Sequence, residues 1–320
     1  MRNIRRLVSI VALAAVLSAP TSAMTSSPSA SETDPPVVEE LIVTARLAGP
    51  AWWKVTRGDS TVYIMGLPMG PTPRNQAWDR SVLQRRLTGA HVLILPPSLT
   101  AGVRDIPALL RMRAQLRTRT PVTQQLPAPL ALRFEQARIR LRQPVSRYQG
   151  WDAPIASQIL RGDSIRRAGL DDLQTVQQVI SVARRQRVPT RAFNYNAAPI
   201  LRSAIGERSL SHNQLCVEGS LEEVETSPER FRQAAAAWAR GDIRRAIDLP
   251  HGSDACAEVM FEGFLQQSNR DTVGAIETAL RTPGRSVALI RLRSLVTRGG
   301  VIEQLRSRGL EIDDPSSPLD

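Results

Sequence analysis

From Ala51 onward the apolar positions switch between a period of two and a period near 3.6, which is the texture of an α/β chain. Thr61-Val62-Tyr63-Ile64-Met65 is β-branched and apolar, stops at Gly66, and predicts a strand. Ser81 to Leu87 has helical spacing, and His91-Val92-Leu93-Ile94-Leu95 predicts a second strand. Helical periodicity fills residues 102 to 186, with breaks near Pro121, Pro127 and Pro144, and a short strand is expected over Val188 to Phe193. Ser227, Pro228 and Glu229 open a helix in the order that N-cap chemistry favours, and Gly241 stands where a helix would stop. Two helices are expected over 254 to 281. The strand Ser286 to Ile290, a helix from Val301 to Arg308 stopped by Gly309, and a strand from Leu310 to Ile312 then suggest a crossover unit.

The first segment has a different pattern. Arg2, Arg5 and Arg6 precede an apolar stretch from Leu7 to Leu17, and Thr21-Ser22-Ala23 supplies small residues for cleavage. This is the layout of a secretory signal peptide over residues 1–23. The run is about half the ~20 residues that a spanning helix needs, so no transmembrane segment is expected in the mature chain. We expect export to a bacterial periplasm or beyond. Residues 24–50 read as a linker rich in Ser, Thr and Pro, containing the β-prone octet Glu39 to Arg46. The octet resembles the TonB box of outer-membrane receptors, which would let it add to a periplasmic partner as a strand. The preferred reading is linker or edge strand of the domain, the commoner role of such octets.

Export gives the two cysteines a meaning. Cys216 and Cys256 are the only pair in the chain, and an oxidising compartment lets them bond. In the chain-entropy model a loop of this size contributes roughly 4 kcal/mol.

Charge adds a preference but no activity. The chain holds 42 basic and 30 acidic side chains, a formal +12, and loss of residues 1–23 would leave +9. Such a surface favours acidic partners such as lipid headgroups or envelope polysaccharide. Nucleic acid is not expected for an exported protein with 4% aromatic residues. Lys54 is the only lysine, so no Gly-Lys phosphate loop exists. His91, His212 and His251 form no H-E-x-x-H pair, and neither C-x-x-C nor G-x-S-x-G occurs.

Several short motifs together carry a resemblance. Trp53-Lys54-Val55 is followed by Gly58-Asp59-Ser60 and the strand ending at Gly66, then by Pro71, Pro73 and Trp78-Asp79. Trp238-Ala239-Arg240-Gly241-Asp242 and the closing Gly299-Gly300-Val301 through Leu305, Gly309 and Leu310 continue the order. Over residues 51–320 the chain resembles the TraB/GumN family. The resemblance implies an α/β fold with a central mixed sheet flanked by many helices. It also implies, for hydrolytic members such as Tiki-like proteases, a metal held by the His of Gly-x-x-His, a carboxylate ending the next strand and a late His.

This chain departs at each of those positions. Gly66-Leu67-Pro68 leads to Met69, the second strand runs into Pro96-Pro97, and the late strand reaches Arg291 and Ser294. A thioether, a proline and a hydroxyl do not make a divalent metal site. The candidate cleft is therefore Gly66, Met69, Trp78, Pro96, Arg291 and Ser294, with no metal, no cofactor and no catalytic residue assigned. His91 opens its strand, remote from the ends where ligands would sit, and His212 and His251 are expected to cap or face solvent. Asp171-Asp172 and Glu222-Glu223-Glu225 are expected on solvated faces. The preferred reading is a catalytically degenerate relative with a binding or scaffolding role in the envelope. An active hydrolase with a non-standard site, and an adaptor docking through residues 39–46, are the alternatives.

Overall fold

Strands β1 (Trp52–Arg57) and β2 (Ser60–Leu67) form an antiparallel hairpin turned at Gly58, whose φ of 54° suits glycine. The computed structural model describes residues 49–249 and 252–315. The expected signal peptide, the β-prone octet 39–46 and His251 lie outside them. After β2 come β3 (Thr72–Pro73), helix α1 (Ser81–Leu87), β4 (Ala90–Ile94) and β5 (Ser98–Thr100). A helical stretch follows with α2 (Ile106–Gln115), α3 (Ala128–Arg140) and α4 (Ala153–Arg167), then β6 (Leu170–Asp171), α5 (Gln174–Arg185), β7 (Thr190–Arg191) and β8 (Asn194–Asn196). Then come α6 (Ala197–Gly206), α7 (Leu210–Glu225), α8 (Pro228–Ala239), α9 (Ile243–Ala246) and α10 (Gly252–Ala279). The close is β9 (Gly284–Arg291), α11 (Leu292–Val296), α12 (Val301–Ser307) and β10 (Glu311–Asp313).

The main sheet has the order β10-β1-β2-β9-β4-β7 and is mixed. β1 runs antiparallel to β2 and β10, whereas β2, β9, β4 and β7 are parallel. β9 lies between two parallel neighbours, and Ser286 to Ile290 are all buried, as expected for a strand covered on both faces. The last strand-helix-strand passage is the predicted crossover, carrying the chain from β9 past β2 and β1 to β10.

Helices α1 and α11 and the carboxyl-terminal half of α10 pack on this sheet and close the largest core around Ile64, Leu83, Leu93, Ile276 and Leu289. One charged side chain is buried within it. Arg86 of α1 lies between the rings of Trp52 and Tyr63, 4.4 Å from each centroid. Burial pushes its pKa down to about 10, so it stays a cation at neutral pH.

A second core is wholly helical. Phe134 of α3, Leu160 of α4 and Leu221 of α7 meet there with Tyr148. A disulfide between Cys216 and Cys256 ties α7 to α10. Phe261 has φ −130° and ψ 23°, so the long α10 is two helical segments joined at a kink, in keeping with two helices expected there.

Candidate functional site

The chain leaves β4 toward β7 on one side and leaves β9 toward β10 on the other. The carboxyl edge between such strands is where open α/β sheets leave room for a ligand. Leu67 pairs with Arg291, so Met69 just beyond β2 and Ser294 just beyond β9 emerge at the same edge.

Two glycines permit that edge to be built. A Cβ on Gly66 would stand 2.5 Å from Leu292 Cδ2 and 3.0 Å from a ring carbon of Trp53, so α11 can fold tightly over β2 only without one. A Cβ on Gly300 would meet the backbone oxygens of Thr297 at 2.6 Å and Ser294 at 2.7 Å, which cannot yield as a side chain would. The glycine-rich turn thus holds the end of α11 closely against the start of α12. The Gly66 carbonyl in turn accepts a hydrogen bond of 2.8 Å from the indole of Trp238, the tryptophan of the mid-chain motif.

A cleft of about 1000 Å³ opens at this edge, between Met69, the β9–α11 corner and the outer face of α10. Arg291, Arg293, Ser294 and Arg298 line one wall. Glu258 before the α10 kink and Glu262, Gln266 and Arg270 after it line the other, the last three at the i, i+4 spacing that puts residues on one helix face. Four guanidinium groups therefore line the cleft beside two carboxylates. Arg293 Nε donates to Glu258 Oε1 at 2.9 Å. Among the described residues neither Arg291 nor Arg298 forms an ion pair, and both are exposed. The balance of charge in the cleft is positive.

The structure brings Met69, Arg291 and Ser294 of the sequence-derived set together, with Gly66 beneath them. Trp78 is placed elsewhere. Its indole donates to Gln178 Oε1 at 2.8 Å, and its ring meets Trp238 edge-on at 5.6 Å between centroids. Pro96 is half-buried two residues past β4 and is not a wall residue of the cleft. His91 is at the amino end of β4, at the opposite edge, where its Nε2 is 2.6 Å from the Pro283 carbonyl. His212 lies in the first turn of α7, its backbone N–H donating to the N-cap Ser209.

One local expectation is corrected. Glu223 is buried rather than solvated and pairs with Arg161 of α4, which also stands 3.8 Å from Asp172. Arg161-Gly162-Asp163 lies inside α4, with Asp163 buried. The α10 residues Glu258, Glu262 and Arg270 were not anticipated in the cleft. Their four-residue spacing is visible in the sequence, but only the docking of α10 gives that face a destination.

The metal implied by hydrolytic relatives does not fit these residues. A divalent cation needs several carboxylate or imidazole donors converging on one point. At this edge stand a thioether, a hydroxyl and four guanidinium groups, with Glu258 already held by Arg293. Among the described residues no three His, Cys, Asp or Glu side chains come together as a metal site. No step through a metal is derived for this cleft.

Among the described residues no helix is long and apolar enough to cross a membrane. Comparison with curated proteins and with solved structures finds no match. The model of the TraB/PrgY/gumN family matches residues 51–314, from the first strand through the last one. The chain belongs to the TraB/PrgY/gumN family.

Proposed function

We propose that this protein is an exported, catalytically degenerate family member that binds an acidic component of the cell envelope in the cleft at the carboxyl edge of β2 and β9. The observation that carries this reading is the wall chemistry: four arginines against two glutamates, with Met69 and Ser294 where ligands of a metal would be expected. Guanidinium forks match carboxylate and sulfate groups geometrically, and three of these forks, Arg270, Arg291 and Arg298, form no ion pair among the described residues. Export is supported by the arginine-led apolar leader and by the Cys216–Cys256 disulfide, a bond favoured outside the cytosol.

The test is a calorimetric titration with oligogalacturonate, a polyanionic oligosaccharide, on the intact protein and on the double variant Arg291→Glu, Arg298→Glu. Both side chains are exposed, so folding is expected to survive the change. The reading predicts saturable binding that weakens with salt and falls about tenfold or more in the variant. Equal binding by both proteins would remove the cleft from the account.

A further inference from the structure

A second cavity lies on the helical side of the molecule, and its chemistry is unlike that of the cleft. It has a volume of about 620 Å³, within the range of small-molecule sites, and is framed by α2, α4, α6 and the first segment of α10. Leu109, Met112, Trp151, Ile155, Leu201 and Phe261 make most of its wall, and the Cys216–Cys256 disulfide reaches it from behind. Only Ala257 belongs to the walls of both cavities.

The charged groups of this apolar cavity are of one sign. Arg113, Arg161 and Arg208 line it, and no Asp or Glu does among the described residues. Arg161 is held from outside by Glu223, and Arg208 by Asp152 at 2.7 Å. Arg208 nevertheless keeps a buried Nε with no hydrogen-bond partner, a costly arrangement that a bound acceptor would relieve. Arg113 is exposed, with its guanidinium 5.8 Å from the Trp151 ring centroid and no ion pair among the described residues. Hydrocarbon walls would take a hydrocarbon chain, and Arg113 together with the open Nε of Arg208 would take an anionic end.

We propose that this cavity binds a single-chain amphiphile with an anionic head, its chain packed against α2, α6 and Phe261 and its head at Arg113 and Arg208. Carboxylate and phosphate heads share that chemistry. The proposal is independent of the cleft and of what the cleft binds.

The experiment is calorimetric titration of the whole protein, below micelle concentrations, with hexadecanoate, hexadecyl phosphate and hexadecyltrimethylammonium. One-to-one binding of an anionic amphiphile, at least tenfold tighter than the cationic one, is expected. Preference for hexadecanoate would identify a fatty acid, and preference for the phosphate a lysolipid-like ligand. Shortening the chain should weaken binding about three- to fourfold per methylene, the ordinary gain from burying hydrocarbon. Ala204→Phe fills the cavity from α6 and should abolish binding with the melting temperature retained. Should that variant not fold, Arg113→Glu on the exposed side of α2 decides, with an expected loss of about tenfold for the anionic ligands alone. The proposal fails if neither anionic amphiphile binds saturably, if the cationic one binds equally, or if a folded Ala204→Phe or Arg113→Glu binds as the parent does.

Discussion

Asp163 shows how partners across the fold decide a residue's environment more than its neighbours in sequence do. Arg161-Gly162-Asp163 has the composition of a turn, yet Asp163 is inside α4 and almost fully buried. There it accepts hydrogen bonds from Arg147, Arg166 and the Tyr148 hydroxyl, the last at 3.0 Å. Burial alone would raise its pKa, but the bonds from Arg147, Tyr148 and Arg166 outweigh it and hold the carboxyl below its ordinary value. Since the folded pKa is the lower one, the stabilisation is fully present above the unfolded carboxylate pKa and is lost as pH falls through the folded one. Asp163→Asn should therefore lower stability by about 2 kcal/mol at pH 7, the scale of charged hydrogen bonds whose arginines can still reach water. The gap between parent and variant should shrink on acidification toward about pH 2. Urea midpoints measured across that range check both points, and an unchanged midpoint at pH 7 would contradict the role given to this carboxylate.

Between elements, the disulfide is the most explicit fastening. Cys216 of α7 and Cys256 of α10 are separated by 40 residues, and the chain-entropy model assigns such a loop roughly 4 kcal/mol. Reduction, or Cys216→Ala with Cys256→Ala, should lower the midpoint of guanidinium unfolding, with a loss of unfolding free energy approaching that figure. A midpoint that ignores reductant would show that α7 and α10 are held by packing alone. What could be read from the sequence at this scale follows from local physics. Helix α8 begins at the predicted Ser227 cap, where Ser227 accepts from the Glu229 N–H at 3.3 Å, and the chain turns after it at Gly241 with φ 73°. Strand β9 and the closing helix–strand unit were equally visible, because their apolar runs are long and glycines mark their limits. The strands β3 and β6, two residues each, carry no local signal and exist because a partner edge is present, whereas β7 falls within the short strand expected over Val188 to Phe193. Helices α6 and α7 escaped prediction too. Buried Glu223 breaks the polar face that periodicity would need, and its burial is decided by Arg161, 62 residues away in the chain.

For the whole molecule, the fold is that of the family, and its carboxyl edge carries a thioether, a hydroxyl and guanidinium groups. Met69, Arg291 and Ser294 were legible as residues of this edge because the motifs fix their positions along the chain. The arginine-lined character of the cleft was not, since Arg270, Arg293 and Arg298 converge only through the docking of α10 and the turn at Gly299-Gly300. Fold alone does not assign function, so the account rests on the donors actually present. A hydrolytic metal centre would have to be assembled against the repulsion of guanidinium groups, with Glu258 drawn away from Arg293. The most direct measurement is elemental mass spectrometry on protein purified after export, followed by titration with Mn²⁺, Zn²⁺ and Co²⁺. The account predicts no stoichiometric metal and no saturable binding of any of the three ions. One tightly held metal per chain would contradict it and return the protein to the hydrolases.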